Sequence, residues 1–207
     1  MYVRLSWIVS LCVIGVIWFR LLMGSIPLLD QWTMEYAKTI PHTSSMYLFF
    51  KFCTFLGSNI FLIPFTILLS ISFYRMFRSM VPWLLLSLGT LFTYMANTGI
   101  KFIVQRERPR LAPELSAEGF SFPSGHAMIS FVFYGLLMYV LFRYFSNTII
   151  KTAVLVIGII CIGCIGVSRY ILNVHYASDI MVGYVIGWIF FMFFVGLYER
   201  FIKLQEK

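Results

Sequence analysis

Charged residues are scarce in this chain. Asp, Glu, Lys and Arg make up 12% of its 207 residues and hydrophobic types 60%, with a mean hydropathy of +0.88. Soluble domains carry about 25% charge, so the shortage excludes an ordinary water-soluble domain. Acidic residues are scarcer still, eight against sixteen basic, giving +8. In a soluble protein that balance would suggest nucleic acid. Here much of it sits beside apolar runs or in one polar loop, so lipid head groups are the expected acidic partner and no nucleic acid is expected. The apolar–polar alternation of barrel strands is also missing: runs such as Ile180 to Leu197 are apolar throughout, which excludes a membrane barrel. Cysteines number four, Cys12, Cys53, Cys161 and Cys164, all in apolar context. The Cys-x-x-Cys at 161 and 164 lies among Gly158, Gly163 and Gly166, where small residues let helices approach, so it reads as packing rather than a redox or metal site. With no long linker and no low-complexity tail, one domain over 1–207 is expected, with no protein partner evident.

What the chain does have is a series of apolar stretches of about 20 residues, each enough to cross a bilayer core about 30 Å thick. Lipid admits only helices or closed barrels, so the expected fold is all-α, a polytopic bundle of six transmembrane helices. The spans fall at about 5–25, 57–75, 81–103, 124–142, 149–169 and 176–198. Met1 to Met23 lacks a clear small-residue cleavage site and reads as the first span rather than a signal peptide. Leu29 to Leu56, which mixes Asp30, Glu35, Lys38 and His42 with Trp32, Tyr36 and Tyr47, reads as short helices lying in the interface. Arg4, Arg75, Arg78, Arg143, Lys151, Arg200, Lys203 and Lys207 share one side, which places both termini in the cytoplasm of a multi-pass cell-membrane protein. The opposite side holds as many cations, among them Lys38, Lys51, Lys101, Arg106, Arg108, Arg110 and Arg169, so this orientation requires most of those to be functional.

Three segments put ionisable groups where lipid makes them costly, and such groups face a cavity or a partner. They read Lys101-FIVQRE-Arg108-Pro109, then Pro123-Ser124-Gly125-His126, then Ser168-Arg169-YILNV-His175-YAS-Asp179. The first ends span three, the second opens span four and the third joins spans five and six, so a bundle can bring them to one outer mouth. In order and spacing they resemble the type 2 phosphatidic acid phosphatases, a family that shares its fold and active site with vanadium haloperoxidases, with no departure at any motif position. The resemblance implies a membrane lipid phosphatase that needs no metal or cofactor.

The residues support the same chemistry on their own. His175 and Asp179 are four apart, so on a helix the carboxylate can hold one ring nitrogen while the other attacks phosphorus. That is triad logic applied to a histidine nucleophile, with a phosphohistidine intermediate. Lys101, Arg108 and Arg169 supply the fixed positive charge that phosphoryl transfer requires. Ser124 and Gly125 open a helix whose N–H groups form an anion cradle, and His126 protonates the leaving oxygen. Ser168 bonds the phosphate or caps a neighbour. Arg106 and Arg110, outside the pattern, are expected to snorkel to the interface.

His126, His175 and Asp179 are also metal-ligand types, but three nearby cations oppose a divalent ion, and Glu114 and Glu118 lack ligand spacing. A site at the outer, extracytoplasmic mouth favours a phospholipid or polyprenyl phosphate whose chains stay in the bilayer. The resemblance implies phosphatidylglycerol phosphate, undecaprenyl pyrophosphate or phosphatidic acid; the motifs bind only the phosphate, and of the three the first is the preferred expectation and the second the alternative. A non-catalytic phosphate-lipid binding or transport protein is disfavoured by the intact His126, His175 and Asp179, and a haloperoxidase by the membrane-spanning composition.

Overall fold

In the computed structural model the described residues are 15, 27, 29–31, 33, 45–109 and 119–205. They form helices α1 (Ser45–Leu56), α2 (Asn59–Phe77), α3 (Val81–Val104), α4 (Gly125–Tyr144), α5 (Thr148–Ile171) and α6 (Ala177–Gln205), with no strand among them. Helices α2, α4, α5 and α6 are long and apolar enough to cross a membrane. Helix α3 is as long as α5, 24 residues, but carries Thr93, Asn97, Thr98 and Lys101 along its second half. These five helices fall on five of the expected spans to within a few residues at most ends. The expected first span, 5–25, lies outside the described residues apart from Gly15.

Local chemistry sets the boundaries. Ser58 starts α2 by accepting from Phe61 N at 3.3 Å, and Asn147 Oδ1 starts α5 by accepting from Ile149 N at 2.8 Å, each satisfying a donor that has no partner within its helix. Helices α2 and α3 stop at Arg78 (φ 49°) and Gln105 (φ 50°), left-handed residues whose N–H groups bond back to Tyr74 and Lys101 carbonyls.

Helix α4 is the centre, packed against α3, α5 and α6, with Ala127, Met128, Val132, Phe133 and Leu136 fully buried. Gly183 and Gly187 let α6 lie directly on it: a Cβ at these positions would fall 2.8 Å from Ser124 O and 2.9 Å from Met128 O. The outer faces are apolar, with Ile60, Ile63, Ile67 and Leu68 of α2 and Ile149, Ile157 and Ile159 of α5 exposed. A surface of that kind suits lipid and not water.

Helix α1 has 12 residues, about 18 Å, too short to cross. It buries Tyr47 and Cys53, exposes Leu48, Phe49, Phe52 and Phe55, and packs on α5. Cys53, Cys161 and Cys164 are free thiols.

Candidate active site

Successive long helices run in opposite directions, so the C-terminal ends of α3 and α5 and the N-terminal ends of α4 and α6 meet at one end of the bundle. There they enclose a cavity of about 330 Å³ lined by Lys101, Arg108, Gly125, His126, Arg169 and His175, six of the eight residues singled out by spacing. Ser124 and Asp179 stand behind its wall, both fully buried.

His175 lies in the turn between α5 and α6. Its Nδ1 sits 3.4 Å from Asp179 Oδ2 and 3.5 Å from Ser121 Oγ. With Nδ1–H directed at the carboxylate, Nε2 is the bare nitrogen, and Arg108 Nη1 donates to it at 3.2 Å. Burial, reinforced by the charges of Arg169 and Arg108, pulls the His175 pKa down to about 3 against the opposing hydrogen bond and charge of Asp179. The imidazole is therefore neutral, as a nucleophile must be. Arg108 is fixed by donating to Gly119 O at 3.0 Å through Nε and to Val174 O at 2.9 Å through Nη1.

Arg169 is 9% exposed and donates from Nη1 to Thr54 Oγ1 of α1 at 2.6 Å. Its Nε is buried without a hydrogen-bond partner. An orphaned donor of this kind costs about 1–3 kcal/mol. Ser124 Oγ accepts from Ala127 N at 3.4 Å, capping α4, which leaves the N–H groups of its first turn at the cavity end without intrahelical acceptors. Gly125 is required by close approach: a Cβ there would lie 2.9 Å from Asn97 Oδ1. Asn97 also lines the cavity and donates to Pro123 O at 3.3 Å. Ser168 is buried and donates to Ile165 O of its own helix at 2.5 Å.

The structure corrects the expectation for Arg106, which does not snorkel. Its side chain is 11% exposed and ion-paired to two fully buried carboxylates, through Nη2 to Asp30 Oδ2 at 2.7 Å and through Nη1 to Asp179 Oδ1 at 2.5 Å. Ser121 also donates to Asp179 Oδ2. Asp30, Ser121, Asn97 and Thr54 were not singled out by the motifs. Asn97 had a signal, being a polar residue one helical turn before Lys101 in an apolar span. Asp30 had none, since its partner lies 76 residues away. Arg110, Glu114 and Glu118 lie outside the described residues.

Among the described residues no three of His, Cys, Asp and Glu gather as a metal site. An apolar groove of about 550 Å³ runs between α2 and α3, lined by Leu62, Ile63, Ile67, Trp83 and Leu91. It shares Asn59, Tyr94 and Ile129 with the polar cavity, so the two adjoin.

Residues 82–203 match the PAP2 superfamily. The chain is 30% identical over 160 residues to phosphatidylglycerophosphatase B of Bacillus subtilis (strain 168), covering 74% of this chain and 76% of that protein. It superposes with a TM-score of 0.82 and 24% identity on the crystal structure of a transmembrane PAP2 type phosphatidylglycerolphosphate phosphatase from Bacillus subtilis, covering 94% of each chain. Aquifex aeolicus LpxE, with a TM-score of 0.59 and 24% identity over 80% of this chain and 95% of that one, shares the fold.

Proposed function

The chain belongs to the PAP2 superfamily, and from that premise we propose that it is a membrane lipid phosphatase, acting on phosphatidylglycerol phosphate through a phosphohistidine on His175. The observation that carries the reading is the cavity itself. A neutral imidazole with one nitrogen held by a carboxylate faces three cations and a helix start, and an apolar groove of about 550 Å³ adjoins the same cavity. The name of the 30% identical relative supports the choice of phosphatidylglycerol phosphate.

The substrate phosphate sits against Lys101, Arg108 and Arg169, drawing Arg108 off His175 Nε2 and giving Arg169 Nε its acceptor. The N–H groups at the start of α4 complete the cradle, with the Ser124 hydroxyl capping that helix behind the wall. The Nε2 lone pair attacks phosphorus, the bond to the lipid oxygen breaks, and His126, entering the step protonated, delivers its proton to that oxygen. Water then attacks the phosphohistidine as His126 takes its proton, the N–P bond breaks, and phosphate leaves. Asp179 holds Nδ1–H and offsets the charge that develops on the ring. No step calls for a metal, so chelators should leave the rate unchanged.

The bundle is oriented with the site extracytoplasmic. Arg75, Arg78, Arg143, Lys151, Arg200 and Lys203 lie at the opposite end, the one expected in the cytoplasm. At the site end, Lys101, Arg108 and Arg169 line the cavity and Arg106 is ion-paired, so the count that opposed this orientation consists largely of functional residues.

Phosphate release in detergent–lipid micelles containing EDTA, comparing phosphatidylglycerol phosphate, phosphatidic acid and undecaprenyl pyrophosphate, tests the reading. Fastest turnover of the first lipid, abolished by His175→Ala, is expected. Preference for the pyrophosphate would reassign the substrate, and no release from any would leave a phosphate-binding protein without this chemistry.

A further inference from the structure

We infer that Arg106 and Asp30 form a positioning clamp that fixes the carboxylate of Asp179 against His175. The inference rests on the roles proposed above for His175 and Asp179, and neither clamp residue lines the cavity that would receive the phosphate.

A carboxylate on a flexible bond can orient a histidine ring only if its own rotation is arrested. On Asp179 three donors meet at Oδ2: His175 Nδ1 at 3.4 Å, Tyr176 N at 3.1 Å and Ser121 Oγ. The other oxygen, Oδ1, is held by Arg106 Nη1 at 2.5 Å. With both oxygens tied from opposite sides, the group cannot turn Oδ2 away from the ring. The guanidinium is itself immobilised. Its second nitrogen, Nη2, donates to Asp30 Oδ2 at 2.7 Å, Nη1 also donates to Ser178 Oγ at 2.8 Å, and its carbon lies 3.9 Å over the Tyr176 ring.

Asp30 acts twice. Besides holding Arg106, its Oδ1 accepts from Ser178 N at 2.9 Å and its Oδ2 from Ser178 Oγ at 2.6 Å. It thereby supplies an acceptor and a negative charge to the first turn of α6, the turn that carries Asp179. Asp30 and Asp179 are both fully buried, and one planar guanidinium bridges them, an arrangement that the single ammonium of lysine cannot reproduce. A residue 149 positions away in sequence thus sets the aim of the catalytic carboxylate.

Such a clamp controls the geometry of attack and not the hold on the substrate, so its loss should appear in kcat rather than KM. The test measures kcat, KM and melting temperature on micellar phosphatidylglycerol phosphate for Arg106→Lys, Asp30→Asn, the double variant and Arg106→Ala, beside His175→Ala. Arg106→Lys is expected to lose about 100-fold in kcat, the cost of a misplacement of about 1 Å, with KM within about threefold of wild type. Asp30→Asn, which keeps the shape, should lose about tenfold, and the double variant less than the product of the two single losses, because part of the Asp30 effect passes through its contact with Arg106. Added guanidinium ion should restore part of the Arg106→Ala rate. A kcat per folded molecule equal to wild type in Arg106→Lys and Asp30→Asn, a rise in KM with kcat intact, or losses that multiply in the double variant would each overturn the clamp. Inactive His175→Ala beside a wild-type kcat in Arg106→Lys overturns the clamp alone. Full activity of His175→Ala overturns the reading beneath it and the clamp with it.

Discussion

Replacing Arg169 by lysine keeps a positive charge at the cavity but removes the planar fork, and the consequence can be worked from two atoms. Nη1 is engaged by Thr54 Oγ1 at 2.6 Å while Nε has no protein partner. A bound phosphate would therefore gain a charge-assisted hydrogen bond from Nε without breaking the bond to Thr54. Such a bond contributes about 1.5–3 kcal/mol. A lysine ammonium reaches Thr54 or the phosphate from one point and does not reproduce both directions. At about 1.4 kcal/mol per decade, Arg169→Lys should weaken binding of inorganic phosphate, and lower kcat/KM, by roughly 10- to 150-fold. The assay is the phosphate-induced rise in melting temperature of the purified protein in detergent, read as a dissociation constant, beside initial rates. The melting temperature of the phosphate-free variant should be no lower than that of wild type, because the orphaned donor has gone. Phosphate affinity unchanged within a factor of two would refute the assignment of Nε to the phosphate.

Three further expectations follow from the geometry. Because burial and the neighbouring cations hold His175 near pKa 3, its ring should remain neutral as pH falls from 7 to 5, and nitrogen-15 NMR of the phosphate-free enzyme should show no protonation over that range; a midpoint near the ordinary value of about 6.5 would contradict it. Gly183→Ala places a methyl group 2.8 Å from Ser124 O, the cap of α4, where α6 lies against it. It should destabilise the fold by about 1–3 kcal/mol in reversible detergent unfolding and lower kcat by moving His126 relative to His175. Leu91→Trp, which fills the α2–α3 groove, should raise KM for long-chain lipid phosphates at least tenfold while sparing a short soluble phosphate ester; equal effects on both would mean the groove does not hold the chain.

Much of this site was legible because lipid makes exceptions visible. In a chain with 12% charge, a lysine near the end of a span or a histidine at the start of one needs a reason, and fixed spacing supplied it for Lys101, Arg108, His126, Arg169, His175 and Asp179. The helices were legible for the same cause, since about 20 apolar residues in succession have one stable form in a bilayer. Arg106 was misread because spacing describes only what lies along one strand of sequence. Its role is decided by Asp30, which reaches the site from before α1 through tertiary packing alone. The turn of α1 that carries Thr54 was equally silent: nothing in its apolar run marks one hydroxyl as the partner of Arg169. Ser124 and Ser168 show a third limit. Sequence offers each a capping role and a phosphate role, and the structure shows Ser124 capping α4 and Ser168 bonding its own helix.

The most direct measurement is to trap the covalent intermediate. Wild-type enzyme mixed with phosphatidylglycerol phosphate carrying labelled terminal phosphate and quenched within milliseconds should hold label on the protein that survives alkali, is lost in acid, and maps by mass spectrometry to His175. His126→Ala, which lacks the proton donor, should still bind the lipid but accumulate no label during the time wild type turns over. Label on any other residue, or steady turnover by His175→Ala, would contradict the account.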